Sequence, residues 1–532
     1  MGRISGGTLS RKSVGTKRRN IDEWRDEIRL QTGILVEMVE EAAAGAATLR
    51  SVETVVRQQL WNLGRAAAGL FLELSEERVV RELERHGPPS PGGRRLRRAP
   101  AIARGLLTIF GVVWYWRTYL REAGPKPEGR RRRGYHPLDA ALGLDADRVS
   151  SHVIATGVRL ATRMSYEEAV EVGGWCMPQM PSTEVLQQAT LGLGEEAAAW
   201  LERATLLADD GEVLVILIDS KGAPTATEEE LQKRRGPRKS RPASPSPRHR
   251  GRDAREGWTH KPRRKKGDKS KNAKMATMVV MYTLRRQGGL LLGPINKRFY
   301  ASFAPKRHAV EYARRQATAR GFGPDSGRKI QVLTDGDNDL RVYIAELFPT
   351  AMHTLDIIHA MERVWKAGEC FLKEGSAPLR TWVDAQREDL LKGNVTAVLG
   401  EMQSRLDAIA KTGPGNKGRR ARLAAAQRYL AKRVGQLNYR DALELDLELG
   451  TGAVEGAIKN IIGKRFDHGG MRWIKERAEA VLRLRCIDAN GDWDAFTQHV
   501  HDRRRQATLE SGLRSRLQRA QPVTLGSLLK AA

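Results

Sequence analysis

Three carboxylates stand where a β-sheet could hold them. The run LVILIDSKG at 214–222 is aliphatic until it meets Asp219, and KIQVLTDGD at 329–337 ends in the same way on Asp335. Glu455 lies in GTGAVEGAIKNIIGKRF, a stretch that reads as a helix capped by Thr451. Each acid alone has an ordinary explanation. An Asp at a strand end commonly bonds its own following amides in a turn, and Glu455 is spaced to pair with Lys459 one helical turn on. Two acids at neighbouring strand ends and a third on a later helix can, however, converge on one sheet edge. Hard carboxylate oxygens in that arrangement suit Mg2+ or Mn2+ bound together with substrate phosphate. A strand buried on both faces also fixes such a carboxylate rigidly, which accounts for an acid at its end. Asp337 and Asp339 follow in the same loop, but Asp335 is the first acid after the aliphatic strand and therefore the first choice.

Charge indicates where the phosphate comes from. The 532 residues carry 92 Lys and Arg against 63 Asp and Glu, a net charge of +29. An imbalance of that size concentrates polyanions and makes nucleic acid the expected partner. No apolar run of membrane-spanning length occurs, and the best candidate, GLLTIFGVVWYW at 105–116, is too short. The N-terminus is basic and Gly/Ser-rich without the apolar segment of a secretory signal. Cys176, Cys370 and Cys486 are too scattered for a zinc ribbon or a disulfide framework, so a cytoplasmic or nucleoid location is expected.

Around the acids the elements can be read by period. Helical patterns fill Ile21 to about Arg85, with Trp24, Ile28, Leu35 and Met38 near a 3.6-residue repeat. HGPPSPGGRRLRR at 86–98 reads as a linker, and ARGLLTIFGVVWYWRTYLRE as a β-hairpin around Gly111. Residues 149–205 form a three-helix pattern with a capping box at Ser165 and Glu168. That pattern fits a helix-turn-helix or a packing module that never enters a groove. From Glu212 the period becomes that of strands: EVLVILID, KMATMVVMYTL, NKRFYASFA, then a helix, then KIQVLTDGD, with TAMHTLD as a fifth strand. Residues 227–273, dense in Lys, Arg, Pro and Ser, read as a mobile basic loop.

The order strand, strand, strand, helix, strand with acids at Asp219, Asp335 and Glu455 resembles the RNase H-like core of DDE transposases. LVILIDSKG, KMATMVVMYTL, NKRFYAS, VLTDGDNDL, LDIIHAMERVWKAGECF, TGAVEGAIKNIIGKRFDHGGMRW and AEAVLRLRCIDANGDWDAF are similar to the ISKra group of bacterial insertion-sequence transposases. The likeness covers roughly 210–500 and, more faintly, 100–200. Paired cysteines found upstream in such relatives are absent here. The resemblance implies an α/β RNase H-like core with an all-α insertion, preceded by mainly helical DNA-binding modules and a β-hairpin. The implied division is a basic disordered arm (1–19), a helical N-terminal domain and linker (20–98), the hairpin and loop module (99–148) and a helix-turn-helix-like domain (149–208). The core follows in two parts, 209–359 and 449–500, around a helical insertion (360–448), with a basic tail (501–532).

The resemblance also implies roles. Asp219, Asp335 and Glu455 would be catalytic and would bind two Mg2+ or Mn2+ ions, Asp219 bridging both. Asp356 and His359, in a sequence like the C/D-x2-H signature of the Mutator-like branch, would shape the site, although a His beginning a helix is often a structural partner. Lys459, Lys464, Arg465, Arg472 and Lys475 would hold DNA phosphates, an exposed basic face being the plainer reading. Trp365 and Trp382 in the insertion are expected in its core. The implied activity is metal-dependent cleavage and strand transfer of an insertion-sequence element. Double-stranded DNA at the element ends and target is the partner, and a homodimer or higher oligomer holds two ends. An RNase H-like nuclease or resolvase without strand transfer, and a catalytically silent DNA-binding protein, are the alternatives.

Overall fold

The structure, a computed structural model, describes residues 18–87, 96–124, 134–144, 148–203, 210–235, 273–467 and 471–509. Most of the expected basic arm, of the 227–273 loop and of the 501–532 tail lies outside them. Where 227–273 is described it is helical at Glu228–Arg235, and the helix Trp493–Leu509 runs on into the segment expected to be tail. The chain divides into two compact units, residues 1–192 with 494–532, and residues 193–493.

The first unit opens with two helices, Ile21–Ala44 and Leu49–His86. They run antiparallel: the Gln59 side-chain amide donates to the Gln31 carbonyl at 2.8 Å, and the Trp24 ring lies where a Cβ on Gly69 would be. Strands β1 (Leu96–Thr108), β2 (Gly111–Glu122) and β3 (Gly134–Tyr135) form a three-stranded sheet in that order. The hairpin thus starts inside the expected linker. Its turn needs Gly111 at φ +102°, a region where a side chain is strained. Beneath the hairpin Asp139 is buried, accepting from Arg104 and the Tyr115 hydroxyl, both at 2.7 Å, and pairing with Arg117. Three helices follow, Ser151–Arg163, Tyr166–Cys176 and Thr183–Leu201, the second with the reciprocal Ser165 and Glu168 cap.

The boundary between units falls inside the third of these helices. Its later residues Leu193, Ala197 and Leu201 are buried, and the Leu201 carbonyl accepts from the Tyr312 hydroxyl at 3.1 Å, so this end belongs to the second unit.

The second unit is built on a mixed sheet. Its strands are β4 (Val213–Pro224), β5 (Ala273–Gln287), β6 (Leu290–Ser302), β7 (Lys329–Thr334) and β8 (Met352–Leu355), in the order β6-β5-β4-β7-β8. β5 is antiparallel to β4 and β6, whereas β4, β7 and β8 are parallel. Leu214 to Ile218 have no solvent exposure, the continuous apolar run of a strand covered on both sides. Helices Lys306–Ala319, Gly452–Ala457 and Lys475–Ala489 pack on these strands.

Between β8 and the segment bearing Glu455 the chain is helical, as expected for the insertion. Ile357–Gly368, Ala377–Leu391, Val395–Ala408 and Asn416–Ala431 enclose their own core around Leu379, Trp382, Met402 and Leu430. Trp382 is a core residue that donates to Glu401 at 3.1 Å, while Trp365 is at the surface.

Candidate active site

Register places the acids. Ile218 on β4 pairs with Thr334 on β7, and Thr334 with Leu355 on β8. Asp219, Asp335 and Asp356 are each the next residue beyond that shared rung; β7 and β8 end there, whereas β4, expected to stop on Asp219, runs on to Pro224 paired with β5 alone. Parallel strands leave their C-terminal ends at one edge, where open α/β sheets bind ligands.

Glu455 joins them from the helix Gly452–Ala457. One ligand atom each from Asp356, His359 and Glu455 lies within 4.8 Å of the others. Asp219 feels the charges of Asp335, His359 and Glu455. Burial, reinforced by those two carboxylates against the Ser220 amide that donates to it, raises the Asp219 carboxyl to about 6. Carboxylates crowded together with one imidazole, and with no Lys or Arg ion pair among the described residues, are what a cation site looks like before the cation binds.

Asp356 has a different task from the others. It is fully buried, and its Oδ1 accepts from the amides of Ile358 at 2.6 Å and His359 at 3.1 Å, capping the helix Ile357–Gly368. Its Oδ2 accepts from the Thr451 amide at 2.6 Å and from the Thr451 hydroxyl. Burial would raise this carboxyl, but His359 and Thr451 hold it down at about 2. Thr451 therefore does not cap the helix of Glu455 with its side chain, as its position suggested. It spends the hydroxyl on Asp356 and ties the start of that helix to the end of β8. His359 points Nδ1 at Asp356 Oδ1 from 3.6 Å, and that carboxylate, against burial, raises the imidazole.

Asp337 and Asp339 stay out of the site. Asp337 caps the helix Asn338–Leu347 and pairs with Lys306, whose charge outweighs burial and lowers the carboxyl. Asp339 is exposed, 3.7 Å from the same lysine. Asp335 directly follows the end of β7.

Two residues that the sequence did not single out hold the Asp335 loop. The Tyr429 hydroxyl donates to the Asp335 carbonyl at 3.0 Å, and Arg433, 4% exposed, donates to the Gly336 carbonyl at 2.5 Å. Gly336 has φ +84°, and a Cβ there would meet Tyr429 Oη at 2.1 Å. Nothing in a helical RYLAKR segment announces this, because the contact joins residues 94 positions apart.

Of the expected phosphate-binding residues, Lys459, Lys464 and Lys475 are exposed and Arg472 is half-buried. Arg465 is not available: it is 2% exposed, with Cζ 4.5 Å from the Trp473 ring centroid. An aromatic neighbour turned it inward, a contact that composition does not reveal. Ile458–Gly463, which carries Lys459, is π-helical, a local widening common at functional sites. A cavity of about 1040 Å3 in the first unit, lined by Trp24, Trp114 and Trp116, mixes Arg19 and Arg65 with Glu23, Asp26, Glu27 and Glu73 and has no single sign of charge.

No protein-family model matches the chain, and no curated protein matches it. Among the described residues no helix is long and apolar enough to cross a membrane.

Proposed function

We propose that the chain is a DDE-type DNA transposase with an RNase H-like core. The observation that carries this reading is the shared rung: Asp219 within β4 and Asp335 just past β7 stand at one level on adjacent parallel strands, and Glu455 lies near enough for Asp219 to feel its charge. The sheet order β6-β5-β4-β7-β8, with only β5 reversed against its neighbours, supports the same core.

The donor set fits divalent metal. Asp219, Asp335 and Glu455 offer hard oxygens with no Lys or Arg ion pair among the described residues, and the Asp219 carboxyl, raised by burial and then by the charges of Asp335 and Glu455, is one whose ionised form a cation would stabilise. Bound there, two Mg2+ or Mn2+ ions would activate a water or a DNA 3′-hydroxyl and stabilise the leaving oxygen of an in-line phosphoryl transfer. Asp219, Asp335 and Glu455 would hold the ions. Asp356 positions Glu455 through Thr451 and orients His359 without needing to face the substrate. Lys459, Lys464, Arg472 and Lys475 supply positive charge for the DNA backbone after the site helix, and the net charge of +29 favours DNA capture generally. Two element ends must be held, which calls for at least a dimer in the bacterial cytoplasm.

The test is Mg2+- or Mn2+-dependent cleavage and joining of a duplex ending in the element's own inverted repeat. Wild type should cleave and join, and Asp219→Asn, Asp335→Asn and Glu455→Gln should bind DNA but do neither. Cleavage without joining would leave an RNase H-like nuclease. Binding without cleavage by wild type would leave a silent DNA-binding protein.

A further inference from the structure

A cluster of guanidinium groups sits against the Asp335 loop and has no part in the metal site. Arg433 and Arg363 place Cζ 3.9 Å and 4.5 Å from the centroid of the Tyr429 ring, the same tyrosine that donates to the Asp335 carbonyl. Arg341, on the helix that leaves the Asp335 loop, adds a third charge felt by Arg433. Among the described residues no carboxylate lies within ion-pairing distance of Arg341, Arg363 or Arg433, and the Nε atom of each is buried without an acceptor. Arg433 spends its terminal nitrogens on the carbonyls of Tyr429 and Gly336 and on the Asn338 side chain. It is a positioning residue for the loop. Arg341 and Arg363 make no such backbone contacts and are half-buried.

Grouping like charges without counter-ions is costly in a folded chain, and burial together with Arg341 and Arg363 lowers the Arg433 guanidinium accordingly. An anion would relieve the repulsion. Guanidinium forks match a phosphate better than any other basic group. Arg363 also follows His359 by four residues on one helix, so both lie on the same face. The helix Asn416–Ala431 that supplies Tyr429 contains no acid and exposes Lys417, Arg419 and Arg422, extending the positive surface away from the acids.

We propose that Arg363, against the Tyr429 ring, and Arg341, on the helix that leaves the Asp335 loop, clamp a DNA backbone phosphate neighbouring the one that reacts, and so select which phosphate faces the acids. This rests on the phosphoryl-transfer reading above. It adds a substrate-binding element on the β8 side of the site, opposite in sequence to the basic residues after Glu455.

The experiment uses the full chain carrying Asp219→Asn, so that DNA stays intact, and a short duplex titrated over a range of salt. With Arg341→Gln and Arg363→Gln together, the slope of log K against log salt should become shallower by about 0.9, one phosphate contact. Affinity at fixed low salt should fall roughly tenfold or more, the range for a charge-assisted hydrogen bond. Arg363→Lys should recover the slope. Arg387→Gln, an exposed arginine paired with Asp384, should leave it unchanged. In the chain that keeps Asp219, the same double variant should cleave at several adjacent phosphates where wild type cleaves at one, a change that loss of stability does not produce. An unchanged slope with unchanged cleavage positions overturns the clamp, as does an equal loss with Arg387→Gln. If wild type cleaves no DNA with either metal, the catalytic reading fails while the slope still decides the phosphate clamp.

Discussion

Asp356→Asn removes one charge and turns one acceptor oxygen into a donor at a side chain with no solvent exposure. The amide would keep its carbonyl on the amides of Ile358 and His359, since Asn caps helices about as well as Asp. Its NH2 would then face Thr451. The Thr451 hydroxyl can turn to accept, but the Thr451 amide, 2.6 Å from the carboxylate oxygen, loses its acceptor in a buried site. That costs about 1–3 kcal/mol. Linkage gives an independent figure: a carboxyl lowered from 3.8 to about 2, at about 1.4 kcal/mol per pH unit, contributes about 2.5 kcal/mol. The folded value is the lower one, so this stabilisation is fully present above about pH 4 and is lost as pH falls toward 2. A urea unfolding curve at neutral pH, followed by tryptophan fluorescence, should therefore show a loss of about 2 kcal/mol. Thr451→Val removes only the hydroxyl bond and should cost less, with the double variant less than additive because both act on one contact. The metal concentration for half-maximal DNA cleavage should rise in both variants, since Thr451 begins the helix of Glu455. Loss within about 0.5 kcal/mol for Asp356→Asn, together with additivity, would refute the reasoning.

Asp219→Asn relieves a carboxyl held at about 6 by burial and like charge, so in metal-free buffer at neutral pH it should raise stability by roughly 1–2 kcal/mol while abolishing cleavage. Asp337→Asn should keep cleavage and lose at most about 1 kcal/mol from its Lys306 pair, because Asn still caps the following helix; an inactive Asp337→Asn beside an active Asp335→Asn would exchange their roles. His353 is pushed to about 4 by burial and the Arg341 charge, below an ordinary 6.5. For a base with a depressed folded value the stability is present above the unfolded pKa and lost as pH falls, so unfolding free energy should decline by up to about 3 kcal/mol between pH 6.5 and 4. His353→Gln should flatten that decline in urea titrations across the range.

The strands of the mixed sheet are legible in the residues alone, because an apolar run that is covered on both faces reads as continuously apolar and the acid that interrupts it is conspicuous; Asp335 does follow a strand's end, but antiparallel pairing with β5 carries β4 past Asp219 to Pro224. Asp219, Asp335 and the helical character of the insertion follow from local pattern. Glu455 needed the resemblance, since an acid on a short helix has no periodic signature of its own. The shared rung of Ile218, Thr334 and Leu355 exists only in the folded sheet; it brings Asp356 level with Asp219 and Asp335, while its hydrogen bonds turn it to holding Thr451. It also turned Arg465 inward against Trp473 and brought Tyr429, Arg363 and Arg433 to the Asp335 loop. These are pairings between residues far apart in the chain. Local propensity carries no information about such partners, because the free energy that selects them comes from burial and hydrogen bonding available only after the sheet and the helical insertion have packed.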